Sequence, residues 1–217
     1  MSPRNEEPAP DGGRTRLRRL PELAVGDRAG LDSLLDEALV AHVGIVDAQG
    51  PAVLPMACAR DGESLLVHGS TGSRLVRALS QGAPSCTTVT VLDGAIYARS
   101  AFSSSMRYRS AMVYGAYRPV ADQLRALRVL TEQLLPGRWA ELRAPSAKEL
   151  AGTLVLAVPL REWSLKVSDG WPEDEPGDLD EPVWAGVLPC RTVWGAPLDA
   201  PDLRQPARPP SSAVLDR

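Results

Sequence analysis

The sequence predicts a mainly β protein of the α+β class, a small antiparallel β-barrel with helices packed outside it. Short β-branched runs separated by Gly, Pro and Asp turn signals are the first observation. The second is that only three or four segments show a helical period. Aromatic residues make up only 5% of the chain, so Val, Leu and Ala must build most of the core.

Helical spacing of apolar residues is clear at two places and short at a third. Residues 30–39 carry apolar side chains at helical intervals with acidic side chains between them, and residues 122–135 repeat the pattern until Pro136 and Gly137 stop it. A third, short helix is predicted at residues 73–79, directly after a Gly/Ser-rich turn.

Seven runs are typical of strands. They cover residues 40–46, 52–59, 64–68, 85–92, 106–120, 153–160 and 163–167. Asp61-Gly62 is a hairpin signal, so the first three runs predict an antiparallel meander. Pro55 lies inside the second run and indicates an edge position or a bulge there.

Composition excludes several classes of function. A formal net charge of -3 does not favour nucleic-acid binding. No apolar stretch approaches the roughly 20 residues of a membrane span, and the polar N-terminus does not resemble a signal peptide. The three cysteines are widely spaced and predict neither a zinc site nor a disulfide framework, so a cytoplasmic location is expected. Residues 1–13 and 197–217 are polar and Pro-rich, and we expect two disordered tails around one domain at residues 14–196.

The stretch VHGSTGSRLVRAL is the first candidate site. A helix start exposes unpaired N–H groups, and the hydroxyl of Ser73 and the guanidinium of Arg74 would add donors for a phosphate. Ser73 is equally well explained as a helix N-cap and Arg74 as a solvated residue of the first turn. His68 lies at the mouth of this turn. The other histidine, His42, lies in an apolar strand and is expected in the core or in an interface.

The second candidate site is SSSMRYRSAMVYG, residues 103–115. In a strand, Arg107 and Arg109 share one face and Tyr108 lies on the other. Two arginines beside a Ser-rich loop could bind an anion, or they could belong to a solvated outer face. No catalytic triad, carboxylate pair or set of metal ligands can be assembled from the sequence.

Together these segments resemble the pyridoxamine 5′-phosphate oxidase-like, FMN-binding split-barrel family, and its nitroimidazole-resistance-reductase-like branch in particular. The stretches that carry the resemblance are LDEALVAHVGIV, LLVHGSTGSRLVRAL, VTVLDGAIYARSAF, YRSAMVYG, LLPGRWAELRAPSAKELAGTLVLAVPL and VWAGVLP. They run in order through residues 18–195. The resemblance implies a six-stranded split barrel that forms a homodimer with flavin at the interface.

By this resemblance the FMN phosphate is held by Ser73 and Arg74, with backbone N–H groups of residues 69–73 contributing. The strand at residues 53–56 runs beside the flavin ring, and residues 88–92 form the facing strand. The cofactor-binding residues expected in full are Val53, Leu54, Pro55, Met56, His68, Gly69, Ser70, Ser73, Arg74, Thr90, Arg107, Tyr108 and Arg109. FAD, deazaflavin and haem are alternative occupants of such a barrel, and no metal site is expected.

The resemblance implies a flavin-dependent oxidoreductase that takes electrons from a reduced nicotinamide and passes them to a small, flat, electron-poor substrate. No catalytic residue is assigned, although Tyr108 and His68 are the most plausible proton donors. The chain departs from the branch at the four positions Ser103, Ser104, Arg107 and Ser168. The alternative expectation is therefore a non-catalytic flavin- or haem-binding protein, or a repurposed scaffold.

Overall fold

A computed structural model of the chain describes residues 13–204, which contain ten strands and four α-helices. The strands are β1 (Ala24–Val25), β2 (Val40–Asp47), β3 (Gly50–Asp61), β4 (Ser64–Ser70), β5 (Pro84–Tyr97), β6 (Ser105–Ala116), β7 (Arg118–Pro119), β8 (Thr153–Pro159), β9 (Glu162–Ser168) and β10 (Gly186–Pro189). The helices are α1 (Arg28–Glu37), α2 (Arg74–Ser80), α3 (Gln123–Leu134) and α4 (Ala147–Ala151).

The strands form one antiparallel sheet that curls without closing. Their order is β1-β9-β6-β5-β2-β3-β4-β8-β7, and β10 pairs with the far end of β5. The meander β2-β3-β4 and all seven runs predicted as strands are confirmed. The predicted class, an antiparallel split barrel with peripheral helices, is confirmed as well. The described residues form ten strands where six are expected. Part of the difference is that β1, β7 and β10 have only two to four residues, too few to show a strand pattern in the sequence.

The core lies between the concave face of the sheet and α1. Leu31, Leu34 and Leu35 of α1 are fully buried, and the helix packs against strands β3, β5 and β6. The helix begins two residues before the predicted start because the side chain of Asp27 accepts a hydrogen bond from Ala29 N at 3.0 Å. A second, smaller cluster packs Ala126 and Leu130 of α3 against the outside of β3, β4 and β8.

The convex side of the same sheet leaves apolar side chains in solvent. We call this surface the outer face. Its exposed or half-exposed members are Val40, His42, Val46, Val53, Pro55, Cys86, Thr88, Thr90, Leu92, Tyr108, Met112 and Tyr114. Strand register places them side by side, since His42 lies opposite both Pro55 and Thr88, and Thr88 lies opposite Met112. The prediction of a core position for His42 is wrong, because the alternation of β2 turns it away from α1.

Strand β5 is longer than predicted because it continues past an irregular step. Its register with β6 shifts between Leu92 and Gly94, and residues 94–97 then pair with β10. A Cβ on Gly94 would come within 2.8 Å of Leu188 O, so a glycine is what lets β10 approach.

The predicted tails lie mostly outside the described residues. Residues 1–12 and 205–217 are not described, and residues 197–204 are exposed and contain neither helix nor strand. Between residues 13 and 204, no helix is both long and apolar enough to cross a bilayer.

Candidate functional site

The candidate site lies where a free strand edge meets the start of a helix. Strand β3 pairs with β2 along residues 50–57 but with β4 only along residues 58–61. The second edge of residues 50–57 therefore faces no other strand between residues 13 and 204. Pro55 is in this half, which agrees with the edge position that the sequence predicts.

The side chains of this free half are mostly apolar and alternate between two environments. Val53, which is 65% exposed, and Pro55 point to the outer face, while Leu54 is half-buried and Met56 is buried. Unpaired backbone groups beside apolar side chains suit a flat, polar-edged ring that needs both hydrogen bonds and van der Waals contact.

Helix α2 begins next to this edge with a conventional cap and an ion pair. Ser73 is the N-cap of α2, and Ser73 Oγ accepts a hydrogen bond from Val76 N at 3.3 Å. The interpretation of Ser73 as a helix N-cap is therefore correct. Arg74, in the first turn, makes an ion pair with Asp47 at the end of β2. The guanidinium of Arg74 thus already contacts an oxyanion, here a carboxylate.

The turn before α2 uses its own backbone donors. Thr71 N donates to Gly152 O at 3.0 Å, Gly72 N to Ser70 Oγ at 3.1 Å, and Ser73 N to Ser70 O at 3.0 Å. The expectation that N–H groups of residues 69–73 bind a phosphate stays a prediction, and three of those donors already hold the turn. A ligand at the start of α2 would share the Ser73 hydroxyl with Val76 N and the Arg74 guanidinium with Asp47, or displace them.

Gly69 holds α2 against the sheet. A Cβ at this position would lie 2.6 Å from Cγ2 of Val76 and 3.6 Å from Cε of Met56. The glycine therefore permits the close packing that brings α2 to the end of β3.

His68 precedes Gly69 and lies on the exposed side of β4, opposite Val155. Partial burial of the ring lowers the pKa of His68 below its ordinary value. The neutral imidazole, which can bind a metal ion, is therefore the form favoured near pH 7.

The remaining predicted residues lie on β5 and β6, three and four strands from β4. Thr90 and Tyr108 belong to the outer face, and the alternation predicted for β6 is confirmed. Arg107 and Arg109 share the opposite, concave face, so the solvated outer-face alternative for them is wrong.

Both arginines have partners within the chain. Arg109 Nη2 donates to Asp93 at 2.7 Å and Nη1 to Glu37 at 2.7 Å. The hydrogen bonds to Asp93 and then Glu37 raise the pKa of Arg109 above its ordinary value. Arg107 Nε donates to Gly170 O at 2.8 Å, and the guanidinium lies 5.1 Å from the ring centroid of Trp171. Arg109 is not available to an anion without losing these contacts, whereas Arg107 has a hydrogen-bond partner at Nε alone within residues 13–204.

The serines at the departing positions also hold local structure. Ser104 Oγ donates to Ser100 O at 2.8 Å, and Ser168 Oγ donates to Met106 O at 3.2 Å. Ser103 N donates to Ser100 Oγ at 3.1 Å. These contacts tie together the loop between β5 and β6 and the end of β9.

Sequence reasoning missed Asp47, whose carboxylate is the partner of Arg74. Asp47 lies in the turn DAQG, where its Oδ1 also accepts from Gln49 N at 2.8 Å, so the local signal is only that of a turn. In the described part of the chain, no group of three or more His, Cys, Asp or Glu side chains could hold a metal ion.

Comparison with known proteins identifies the family. The sequence profile of the pyridoxamine 5′-phosphate oxidase family matches residues 27–167, and the chain belongs to that family. No curated protein sequence matches the chain. The FAD and heme binding protein from Mycobacterium smegmatis is 46% identical with a TM-score of 0.84, over 88% of this chain and 95% of that chain.

Two further solved structures are similar. The flavocytochrome Anf3 from Azotobacter vinelandii is 34% identical with a TM-score of 0.87, over 94% of this chain and 96% of that chain. A candidate 5-nitroimidazole antibiotic resistance protein from Bacteroides thetaiotaomicron is 24% identical with a TM-score of 0.55, over 66% of this chain and 86% of that chain. The last likeness is one of fold alone.

Proposed function

We propose that the protein binds a flavin nucleotide along the free edge of β3, with a phosphate of the flavin at Arg74. The observation that carries the proposal is the meeting of an unpaired strand edge with an arginine whose guanidinium already contacts an oxyanion. The ring would lie beside Val53 and Pro55, and the phosphate would take the place of the Asp47 carboxylate or share Arg74 with it.

The flavin we propose is FAD rather than the FMN expected from the sequence. The M. smegmatis protein binds FAD, and it is 46% identical to this chain over most of its length. FAD and FMN both carry the phosphate attached to the ribityl chain, so the proposed role of Arg74 is the same for either. Deazaflavin remains a less favoured alternative.

We also propose haem as a second cofactor, with His68 as a ligand of the iron. The M. smegmatis protein binds heme and Anf3 is a flavocytochrome, and both span nearly all of this chain. The chain has only two histidines, and His68 has the lowered pKa that keeps its imidazole unprotonated. His42 is the control, since it is an exposed imidazole on β2, two strands from His68 in the same meander.

The proposed activity is a flavin-dependent oxidoreductase acting on a small-molecule substrate, with a reduced nicotinamide as electron donor. A bound flavin supplies the electron or hydride transfer. The residues of this chain bind the phosphate, hold the ring against the apolar strand and limit water near it. Tyr108 stays the proposed proton donor; it is half-buried on the outer face, with Lys166 Nζ 5.9 Å from its ring centroid.

A homodimer is part of the proposal, because the outer face is too apolar to remain in solvent. Val40, Val46 and Val53 are 48%, 73% and 65% exposed. A second copy packed on this surface would bury them and would cover the free edge of β3, which would place flavin at the interface.

A second candidate function, a flavin or haem carrier without catalysis, is favoured by the departing positions. The side chains of Ser104, Arg107 and Ser168 make contacts that hold loops, as does the backbone N–H of Ser103. None of them offers an uncommitted acid or base to a substrate.

Titration of cofactor-free protein with FAD, FMN and haemin tests these proposals. We expect saturable quenching of flavin fluorescence with micromolar or tighter affinity and a Soret band that His68→Ala loses and His42→Ala keeps. Anaerobic bleaching of the bound flavin by NADH or NADPH then supports the oxidoreductase, whereas a bound flavin that no nicotinamide reduces supports the carrier. Absence of any flavin binding would overturn the proposal.

A further inference from the structure

Arg77 is a second arginine of α2, and it lies about one turn along the helix from Arg74. Residues three positions apart on a helix are neighbours on the same face, with Cβ atoms about 5–6 Å apart. The side chains of both arginines are exposed. The phosphate site proposed at Arg74 therefore has a second cation beside it.

Hydrogen bonds direct the guanidinium of Arg77 back toward the turn that precedes the helix. Arg77 Nη1 donates to Thr71 O at 3.2 Å and to Gly72 O at 3.1 Å, and these two residues come directly before the N-cap Ser73. The other donors of this guanidinium, Nε and Nη2, have no hydrogen-bond acceptor among residues 13–204. The cation is thus held at the end of α2 that carries Arg74, with donors to spare.

The charge of Arg77 has no carboxylate partner in the described part of the chain. Arg74 pairs with Asp47, whereas no ion pair joins Arg77 to any residue between 13 and 204. The same holds for Arg118, whose guanidinium fills the space that a Cβ on Gly82 would need, just after α2. An anion bound at Arg74 is therefore attracted to Arg77 as well.

We propose that Arg77 binds the second phosphate of FAD, the one that carries the adenosine, while Arg74 binds the ribityl phosphate. The two phosphates of FAD share one bridging oxygen, so they suit two cations that lie close together, and neighbouring arginines on one helix face meet that condition. FMN has only the ribityl phosphate and leaves Arg77 unused. Arg77 is therefore the residue through which this site prefers FAD to FMN. The inference rests on the proposed flavin site.

The diphosphate site consists of two guanidinium groups and does not use the backbone N–H groups of α2. Arg77 Nη1 would keep its two carbonyl acceptors, while Nε and Nη2 would donate to the phosphate. A side chain that is already held in position loses less conformational entropy on binding than a free one. The contacts to the turn thus position Arg77 for a phosphate and leave donors for it.

Binding of three flavins to the full-length chain tests the proposal. Dissociation constants for FAD, FMN and riboflavin are measured by fluorescence titration of cofactor-free protein. Arg77→Gln removes the charge but keeps an amide that can donate to the carbonyls of the turn, and Arg77→Lys keeps the charge. Arg128→Gln is the matched control, an exposed arginine on α3. The melting temperature of each cofactor-free variant reports whether the turn still holds α2.

We expect wild type to bind FAD at least about tenfold more tightly than FMN, because only FAD reaches Arg77 with a charged group. Arg77→Gln is expected to weaken FAD binding about tenfold and to leave the melting temperature and the affinities for FMN and riboflavin unchanged. Arg77→Lys is expected to bind FAD with intermediate affinity, because an ammonium keeps the charge but not the planar fork. Arg128→Gln should match wild type for all three flavins.

A double variant separates the two phosphates. Arg74→Ala/Arg77→Gln should bind FMN no more weakly than Arg74→Ala alone, because FMN has no group for Arg77. The same double variant should bind FAD more weakly than either single variant. Equal FAD affinities for the double variant and Arg74→Ala would contradict a separate phosphate at Arg77.

Further results would overturn the inference in ways that differ from failure of the flavin site. If Arg77→Gln weakens FMN binding as much as FAD binding, Arg77 serves the ribityl phosphate or the turn, and a fall in melting temperature would identify the turn. If FAD affinity is unchanged, Arg77 binds no phosphate. In these cases the proposed flavin site stands. If wild type binds no flavin, the proposed site fails and the inference fails with it.

Discussion

Arg74 is the residue on which the proposed phosphate site depends most. Its guanidinium contacts Asp47, and a flavin phosphate would need the same donors. The ion pair is partly solvated, since the side chain of Arg74 is 45% exposed, so exchange of one oxyanion for another is feasible. A flavin phosphate would make charge-assisted hydrogen bonds to Arg74 of the same kind that the Asp47 carboxylate makes.

We expect Arg74→Ala to weaken FAD and FMN binding by about tenfold to a hundredfold, as loss of a charge-assisted contact worth roughly 1.5–3 kcal/mol implies. Dissociation constants from fluorescence titration measure this. Riboflavin lacks the phosphate and should bind wild type and variant equally. Arg128→Ala is the matched control, an exposed arginine on α3, and should change nothing. Equal FMN affinities for wild type and Arg74→Ala would return this stretch to an ordinary capped turn.

At the scale of residues, local chemistry could be predicted from the sequence and distant contacts could not. The cap of Ser73 and the position of Arg74 follow from a turn directly before a helical period. The pairing of Arg74 with Asp47 depends on the β2-β3 hairpin folding back toward α2, and no local pattern encodes that. The partners of Arg107 and Arg109 are similarly remote in sequence, so the residue pattern alone leaves open whether these arginines bind an anion.

At the scale of elements, the contact between β4 and α2 sets the geometry of the candidate site. We expect Gly69→Ala to destabilise the protein by about 1–3 kcal/mol, because the new methyl group would overlap Val76. Chemical denaturation measures this, and flavin affinity should fall in parallel as α2 moves. The double variant Gly69→Ala/Val76→Ala makes room for the methyl group and should recover part of the flavin affinity. A Gly69→Ala variant with wild-type stability would show that α2 is not held in this way.

A second element-scale contact joins α3 to the β3-β4 turn through Arg125 and Asp61. Arg125 Nη1 donates to Asp61 at 2.6 Å, and this hydrogen bond lowers the pKa of Asp61 below its ordinary value. Because the pKa of Asp61 is lower in the folded than in the unfolded chain, the ionised carboxyl stabilises the fold. This stabilisation is complete above the unfolded pKa, near 3.9, and is lost as the pH falls through the folded pKa. We expect a small effect, because Arg125 is largely exposed and water screens the pair.

Denaturation of wild type and Asp61→Asn at pH 7 and below pH 4 checks this prediction. The variant should be less stable at pH 7, and the difference should shrink in acid. Arg125→Gln should behave like Asp61→Asn. A stability difference that is independent of pH would contradict an ionic contact.

Most elements could be predicted because their patterns are strong. The long strands β2, β3 and β4 alternate or carry β-branched runs, and α3 has a clear apolar stripe ended by Pro136 and Gly137. The predicted strand ends at Leu92, because Asp93-Gly94 is typical of a turn. In the structure a register shift at this point lets β5 continue. Strand β10 has only four residues and exists because β5 extends to meet it.

At the scale of the whole molecule, the outer face governs assembly. We expect Val46→Glu to convert the proposed homodimer into a monomer, because an unpaired charge buried in an apolar interface costs several kcal/mol. Light scattering at micromolar concentration measures this. Val193→Glu is the control, an exposed valine in the C-terminal segment that lies outside the outer face. A Val46→Glu variant that remains dimeric would move the interface elsewhere.

The global assignment could be made from the sequence because several weakly specific segments occur in the right order. The family and the split barrel are confirmed by the match over residues 27–167 and by the similar structures. The identity of the cofactor could not be predicted in the same way, since FMN and FAD present the same ribityl phosphate to Arg74. The sequence offers haem only as an alternative occupant of the barrel, because a single exposed histidine such as His68 is not a distinctive pattern.

The central claim is that this barrel holds a flavin, and mass analysis of the cofactor released from purified full-length protein tests it most directly. The account predicts FAD, at close to one molecule for each chain after reconstitution, together with flavin absorbance bands in the intact protein. FMN in its place would correct the cofactor and keep the site. Colourless protein that releases no flavin and takes up neither FAD nor FMN would contradict the account.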